Sequence, residues 1–341
     1  MSLAHTLGAP GNGGAETYFV DLVSAFARAG IAQSAAIRAH AGREAALAAL
    51  GVPTRVLPFA RPFDIATRPG IAAMANQTGA RIVLAWMNRA ASLTPRGPWK
   101  RIGRLGGYYK LKNYRDFDAL IANTQDIADW MVREGWPRER AHYIPNFAAA
   151  RESEPIARAA LDTPEGAPLL LGMGRLHAVK AHDVSLRALK LMPEAYLWIA
   201  GEGPEEASLK QLARELGVAD RVRFLGWRDD ASALYRSVDL CIFPSRFEPL
   251  GNVVIQAWAH GVPIIAAKAA GPASLITEGH DGFLIALDDA PALAARAQEI
   301  LADPLRRTAF IAAGLRRVET HFSETAVVAQ WRELFDALGG V

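Results

Sequence analysis

The sequence predicts an α/β protein of two domains, each a parallel sheet covered by helices. Three observations lead there. The chain has 341 residues, long for one core and comfortable for two. Short apolar runs alternate with amphipathic stretches from end to end, as repeated βα units do. The charge also changes sign partway. Residues 1–150 carry 18 Lys and Arg against 10 Asp and Glu, whereas residues 151–341 carry 20 against 25. With 51% apolar and 21% charged residues, the composition is that of an ordinary globular protein. No apolar run approaches the ~20 residues of a membrane helix. Met1 to His5 lacks a basic region followed by an apolar stretch, so no secretory signal is expected. The lone Cys241 excludes an intrachain disulfide and fits a reducing cytoplasm; inside an apolar run it reads as a small core residue.

Leu3 to Leu7 reads as the first strand and Gly8-Ala9-Pro10-Gly11-Asn12-Gly13-Gly14 as a flexible loop after it. Ala15 to Ala29 follows as an amphipathic helix stopped by Gly30. A glycine-rich loop between strand and helix lets backbone approach a phosphate or sugar closely, although a plain turn has the same composition. Ile31 to Arg38, Thr54 to Pro58 and Arg81 to Trp86 are further strands, the last ending at Met87-Asn88-Arg89. Between Asp64 and Asp116 there is no acidic residue but ten basic ones: Arg68, Arg81, Arg89, Arg96, Lys100, Arg101, Arg104, Lys110, Lys112 and Arg115. Pro95 to Arg115 interleaves these bases with Trp99, Tyr108, Tyr109 and Tyr114. Such a stretch can bind nucleic acid, but no DNA- or RNA-binding motif accompanies it; a sugar or an anionic lipid headgroup suits it as well. A solvated basic face is the plainer reading of the same charges. Asp118 to Thr124 reads as a strand, Gln125 to Glu134 as a helix, and His142 to Phe147 closes the first domain.

Ala148 to Pro168, rich in Ala, Glu, Arg and Pro, carries no strand pattern and reads as a linker. Leu169 to Gly174 is the first strand of the second domain, with Arg175 at its end and Lys180 opening a helix from Ala181 to Leu191. A lysine at a helix N-terminus opposes the macrodipole by roughly 0.3–1 kcal/mol, which makes sense if an anion binds there too. Tyr196 to Ala200, Arg221 to Trp227 and Val238 to Pro244 are strands, with Gly201-Glu202-Gly203-Pro204 a turn. After Glu248-Pro249-Leu250-Gly251, a helix from Asn252 to His260 is apolar except at Asn252, Gln256 and His260, four apart on one face. A polar stripe on a buried helix needs partners, because an unsatisfied buried group costs roughly 1–3 kcal/mol. Pro249 and Gly251 shape a tight entry whose backbone N–H groups suit an anion. Two readings fit: carboxylate, cradle and stripe converge on one ligand, or neighbouring protein satisfies the stripe. Beyond Val262 to Ala267, Glu278 to Ile285 is a turn into a strand; helices Pro291 to Ala302, Pro304 to Thr320 and Ser323 to Leu338 follow.

Glu248-Pro249-Leu250-Gly251-Asn252, then three apolar residues, then Gln256-Ala257-Trp258-Ala259-His260-Gly261-Val262-Pro263, resembles the signature of the retaining glycosyltransferases of family 4. Gly174-Arg175-Leu176 followed by Lys180 and Asp183 is a second likeness, and Gly13-Gly14-Ala15-Glu16 resembles that family's first loop. The likeness covers essentially the whole chain. It implies the GT-B fold: two Rossmann-like domains facing each other across a deep cleft, residues 1–150 binding acceptor and 165–320 binding donor. Residues 321–341 would form a C-terminal helix returning to the first domain.

The resemblance implies transfer of a sugar from a nucleotide diphosphosugar, UDP-linked, to a hydroxyl with retention of configuration. Arg175 and Lys180 would neutralise charge on the leaving diphosphate, helped by backbone N–H groups of Leu250, Gly251 and Asn252, while Glu248 orients the sugar. Gly13, Gly14, Gly201, Gly203, Gly226 and Pro249 would also line the donor site. This chain departs from the family at three places. Gln256 stands where the second Glu is usual, Ala181 where Gly is usual, and Asn88 where many relatives carry a His, so no catalytic base is assigned there. Gln256 can still accept one hydrogen bond from a ribose hydroxyl and donate another. No His/Cys/Asp cluster has metal-ligand spacing, so neither metal nor other cofactor is expected. The expected partners are the nucleotide sugar and a glycan or lipid-linked acceptor of lipopolysaccharide or surface-polysaccharide synthesis, and no nucleic acid. The expected location is cytoplasmic, with peripheral contact on an anionic inner membrane through the basic first domain. A sugar-nucleotide epimerase of the same fold and a non-catalytic nucleotide-binding protein remain open alternatives.

Overall fold

The computed structural model describes residues 2–11, 13–60, 64–148 and 152–339. Asn12 of the glycine-rich loop and residues 149–151 of the expected linker therefore lie outside the described residues. The chain divides into two compact units: Met1–Asn146 together with Glu324–Val341, and Phe147–Ser323.

Unit 1 opens with β1 (Ser2–Leu7), α1 (Gly14–Arg28), β2 (Ala32–Ile37), α2 (Ala41–Ala49), β3 (Thr54–Val56) and α3 (Thr67–Gln77). It continues with β4 (Ile82–Trp86), α4 (Met87–Leu93), β5 (Lys100–Leu105), β6 (Ala119–Ala122), α5 (Gln125–Arg133) and β7 (Ala141–Tyr143). Among the described residues seven strands pair in parallel in the order β3-β2-β1-β4-β5-β6-β7. Strands β4 and β6 are buried along their whole length, as expected when helices cover both faces of a parallel sheet. On α1, Phe19, Leu22, Val23 and Phe26 make the face turned to the sheet.

β5 is the strand that composition hides. Lys100-Arg101-Ile102-Gly103-Arg104-Leu105 lies inside the stretch read from sequence as a basic–aromatic segment, yet it is central in the sheet and all but its first residue are buried. Arg101 donates to the Asp116 carbonyl. Arg104 donates to Ile144 O at 3.1 Å and to Asn146 Oδ1 at 2.6 Å, and its guanidinium lies 5.2–5.8 Å from the ring centres of Tyr18, Trp86 and Trp331. Hydrogen bonds and aromatic faces thus make a charged strand compatible with burial.

Unit 2 contains β8 (Leu169–Met173), α6 (His182–Lys190), β9 (Tyr196–Ala200), α7 (Glu206–Glu215), β10 (Val222–Phe224), α8 (Ala231–Ser237) and β11 (Leu240–Phe243). It ends with α9 (Asn252–Ala259), β12 (Ile264–Ala267), α10 (Ala270–Leu275), β13 (Phe283–Ile285), α11 (Ala290–Ala302) and α12 (Pro304–Arg317). Among its described residues six strands run parallel, in the order β10-β9-β8-β11-β12-β13. Cys241 is fully buried in this core, and burial pushes its thiol pKa up. The segment expected to be a linker belongs to this unit instead. Ile156 N–H donates to Ser237 Oγ at 2.7 Å, and Arg158 pairs with Asp239, whose carboxylate also accepts from Leu169 N–H. Isolated polar anchors of this kind leave no periodic pattern to read. The last helix, α13 (Glu324–Ala337), belongs to unit 1, where Trp331 and Phe335 pack edge-on against Phe26 of α1.

Candidate active site

In each sheet the strand order reverses once: between β1 and β4 in unit 1, and between β8 and β11 in unit 2. Loops leaving the C-terminal ends of such neighbouring strands diverge and open a crevice, the usual ligand position in doubly wound sheets. Both motifs of unit 2 lie there. Arg175 and Lys180 follow β8, and Glu248 to Asn252 follow β11.

The β8 loop is clamped from the β9 side. Gly174 N–H donates to Ala200 O at 3.0 Å and Leu176 N–H to Glu202 O at 2.9 Å. A Cβ on Gly201 would fall 2.1 Å from Gly174 O, and one on Gly203 would fall 2.2 Å from Leu176 O. These two glycines are therefore required for the close approach of backbones that holds out Arg175, whatever contact they make with a ligand. Gly226 (φ +66°) accepts from Gly201 N–H at 2.8 Å and completes the clamp. Arg175 itself is exposed, with no side-chain partner among the described residues.

Lys180 does not open α6. It ends a single 3-10 turn, Ala178–Lys180, and Ala181 then adopts a left-handed conformation (φ +54°) before the helix starts at His182. That conformation explains why glycine is usual at this position, and alanine is the smallest residue with a Cβ that can fill it. The turn sends Lys180 Nζ to Glu248 Oε2 at 2.5 Å, with the two side chains 23% and 12% exposed. Glu248 Oε1 accepts from Gly251 N–H at 3.1 Å and Leu250 N–H at 3.3 Å. Two of the three backbone donors expected to face an anion are thus turned to the protein's own carboxylate. Gly251 (φ +81°) precedes α9, whose N-terminus has no side-chain cap.

Arg246 locks this geometry, and nothing in the sequence pattern singles it out. Its guanidinium grips Asp183 through both terminal nitrogens (2.7 and 3.0 Å), Asp288 through Nε (2.6 Å) and Ala178 O (2.7 Å), while its backbone N–H reaches Val179 O. It therefore ties the turn that carries Lys180 to the loop that carries Glu248. Gly271 holds the Glu248 loop from the other side. Its N–H donates to Glu248 O at 2.7 Å, and a Cβ there would fall within 2.8 Å of Leu250 backbone atoms.

The polar stripe of α9 divides. His260 Nδ1 donates to Gln256 O at 2.7 Å, which leaves Nε2 to accept from Ser232 Oγ at 2.9 Å, and the ring stacks on Tyr235. Neighbouring protein satisfies that end of the stripe. Half-buried Gln256 makes no side-chain hydrogen bond among the described residues and remains available to a ligand. Trp227, 58% exposed just after Gly226, is a further aromatic surface at this edge.

Gly13 and Gly14 lie at the corresponding edge of unit 1, at the start of α1. The loop before them is organised by buried Arg43, which donates to Ala9 O at 3.1 Å and Gly11 O at 2.7 Å. After β4, Met87 is left-handed (φ +61°), strain of a kind that collects at functional edges. Asn88 Oδ1 accepts from Asn113 Nδ2 at 2.5 Å. The ten bases do not form one patch. Arg101 and Arg104 are buried, and Arg96 and Lys100 pair with Asp116 and Asp118. Exposed Arg68, Arg89, Lys110 and Lys112 follow strand C-terminal ends, whereas Arg81 and Arg115 precede strands at the opposite edge.

Among the described residues no three His, Cys, Asp or Glu side chains are grouped as metal ligands, and no helix is long and apolar enough to cross a membrane.

Known proteins resemble this chain over nearly its whole length. The family model described as Glycosyl transferases group 1 matches residues 153–317, and that of Glycosyltransferase Family 4 matches residues 12–150. The chain is 34% identical over 337 residues to the lipopolysaccharide core biosynthesis glycosyltransferase LpsE of Rhizobium meliloti (strain 1021), covering 95% of this chain and 96% of that one. It is 36% identical over 342 residues to LpsD of the same strain, with 95% of each covered. The crystal structure of Anabaena Alr3699/HepE in complex with UDP-glucose superposes with a TM-score of 0.84 at 20% identity, over 99% of this chain and 100% of that one. WaaG, a glycosyltransferase involved in lipopolysaccharide biosynthesis, gives 0.70 at 18% identity, over 97% and 98%. The chain belongs to the group 1, family 4 glycosyltransferases and has their GT-B fold.

Proposed function

We propose that this glycosyltransferase moves a sugar from a UDP-linked donor to a hydroxyl of a lipopolysaccharide-core or related lipid-linked glycan, with retention of anomeric configuration. The observation that carries the proposal is the edge between β8 and β11, where Arg175, Lys180, Glu248 and the N-terminus of α9 meet at a topological switch point. Relatives that span nearly the whole chain are lipopolysaccharide core enzymes, and a structural neighbour holds UDP-glucose.

In the proposed reaction the bond from the anomeric carbon to the diphosphate breaks, and the acceptor oxygen bonds to that carbon on the same face. The acceptor proton ends on the departing diphosphate. Arg175 and Lys180 stabilise the charge that grows on the diphosphate, the electrostatic contribution that usually dominates. The same pair supplies the charge a divalent ion would bring, so the reaction is proposed to be metal-independent. Glu248 accepts from sugar hydroxyls and orients the ring, and Gln256 bonds the ribose. Gly13 and Gly14 are assigned to the donor as well, and unit 1 to the acceptor. Its exposed Arg68, Arg89, Lys110 and Lys112 suit an anionic glycan or membrane surface, each worth about 1 kcal/mol close to such a surface.

The test is release of nucleoside diphosphate from a panel of nucleotide sugars, with and without lipopolysaccharide-core oligosaccharide. Release that requires the oligosaccharide supports the proposal. An isomerised nucleotide sugar formed without acceptor would identify an epimerase, and binding without turnover would identify a nucleotide-binding protein. Equal sedimentation with neutral and anionic vesicles at low salt would remove the membrane contact.

A further inference from the structure

Glu248 holds the groups that the diphosphate of the donor needs. One carboxylate oxygen sits on the Lys180 ammonium at 2.5 Å and the other on two successive backbone N–H groups, of Leu250 and Gly251. A phosphate oxyanion is held by the same kind of donors at a helix N-terminus. The backbone beneath cannot retreat. Gly271 N–H bonds Glu248 O at 2.7 Å, and Gly271 packs so closely on Leu250 that no side chain fits between them. With that backbone held, the carboxylate frees the Leu250 and Gly251 N–H groups by moving its side chain.

We propose that Glu248 makes the site discriminate between a nucleotide diphosphosugar and the free nucleoside diphosphate, by competing with the terminal phosphate for Lys180 and the Leu250 and Gly251 N–H groups. The proposal rests on the edge between β8 and β11 being the donor site, and it names the residue that sets the preference there. A sugar on the donor offers hydroxyl donors that replace those contacts, so the carboxylate swings onto the sugar and leaves its former partners to the phosphate. The free diphosphate offers no hydroxyls. Its terminal phosphate also carries a second negative charge above pH ~6, so the carboxylate meets it as a like charge. The enzyme would then hold its substrate more firmly than its product, and the spent diphosphate would leave once the sugar has moved.

Calorimetry on the intact chain with UDP and UDP-glucose, and with the GDP and ADP pairs in turn, provides the test. Glu248→Gln keeps an oxygen for the Leu250 and Gly251 N–H groups but removes the charge. It should bind the free diphosphate about tenfold or more tighter than wild type, bind the sugar nucleotide no tighter, and lose transfer. Most of that gain should vanish in the Lys180→Ala background, because the contested cation is gone. Should Glu248→Gln fail to fold by circular dichroism, Glu248→Ala carries the same expectation. Unchanged or weaker binding of the free diphosphate by a folded Glu248 variant overturns the competition and leaves the donor-site reading intact. Absence of binding of every diphosphate to the wild-type chain overturns the donor-site reading and this proposal together.

Discussion

Arg246→Ala tests whether the edge between β8 and β11 is held by one guanidinium. The side chain makes four hydrogen bonds, to Asp183, Asp288 and Ala178 O, and these join the turn of Lys180 to the loop of Glu248. The carboxylates hold its pKa above the usual arginine value. The ion pairs are not deeply buried: Arg246 is 32% exposed, Asp183 31% and Asp288 56%. Screening therefore limits their contribution to stability to about 1 kcal/mol, or a melting shift of about 2–4 °C for a domain of this size. The kinetic effect should be much larger. Release of the Ala178–Lys180 turn lets Lys180 drift, and a displacement of about 1 Å can cost about 10²-fold. The expected result is a kcat/KM lower by about 10–100-fold with a small melting shift. Arg246→Lys should fall between, because lysine keeps the charge but loses the planar fork. Steady-state kinetics of nucleotide release, beside a thermal melt, measure both. A folded Arg246→Ala enzyme within about threefold of wild-type kcat/KM would show that Arg246 does not position Lys180.

Other outcomes follow from the same geometry. Arg175→Ala and Lys180→Ala should each lower kcat by about 10²–10³ with folding retained; turnover within about threefold of wild type in both would end the diphosphate assignment. Gln256→Glu should fold and bind nucleoside diphosphate at least as tightly, since a carboxylate accepts from two ribose hydroxyls at once; unfolding on calorimetric titration samples would show the position is misassigned. Ala181→Gly should stay within about 1 kcal/mol of wild type in urea unfolding, while Ala181→Val, β-branched at φ +54° and fully buried, should cost more than about 2 kcal/mol; equal midpoints would contradict the left-handed turn. Burial pushes the pKa of His5 and His182 down from 6.5 to about 4. The unfolded chain takes up those protons below about pH 6.5 and the folded chain only near 4, so stability should hold above about pH 7 and fall through that window, by about 3 kcal/mol per ring. A flat urea midpoint between pH 7 and 4 would contradict this.

Much of the fold is legible in the sequence because parallel strands buried on both faces are apolar runs, and such runs give β1, β4, β8, β9 and β11 to within two residues. β5 escapes because its three bases break the run; Lys100 is exposed, while buried Arg101 and Arg104 are tolerated by distant hydrogen-bond acceptors and by aromatic rings that no local pattern announces. The glycines that clamp the β8 loop are visible as glycines, but their reason is not. Gly201 and Gly203 meet backbone more than twenty residues earlier in the chain, contacts that only the tertiary structure supplies. For the same reason the likeness to a family points to Arg175, Lys180 and Glu248 while leaving out Arg246. Lys180 and Glu248 are assigned separate roles from sequence, and only the coordinates show them bonded to each other. The charge reading is the least transferable. Ten bases in one stretch look like a patch, yet a parallel sheet sends alternate connections to opposite edges, and two of the ten are buried.

The most direct measurement is an NMR time course of the enzyme with a UDP-sugar and lipopolysaccharide-core oligosaccharide. The account predicts loss of the donor anomeric signal together with appearance of UDP and a glycosidic anomeric signal of the same configuration, only when the oligosaccharide is present. An inverted linkage would contradict retention. Conversion of the nucleotide sugar without acceptor, or an unchanged spectrum across all donors, would contradict sugar transfer itself.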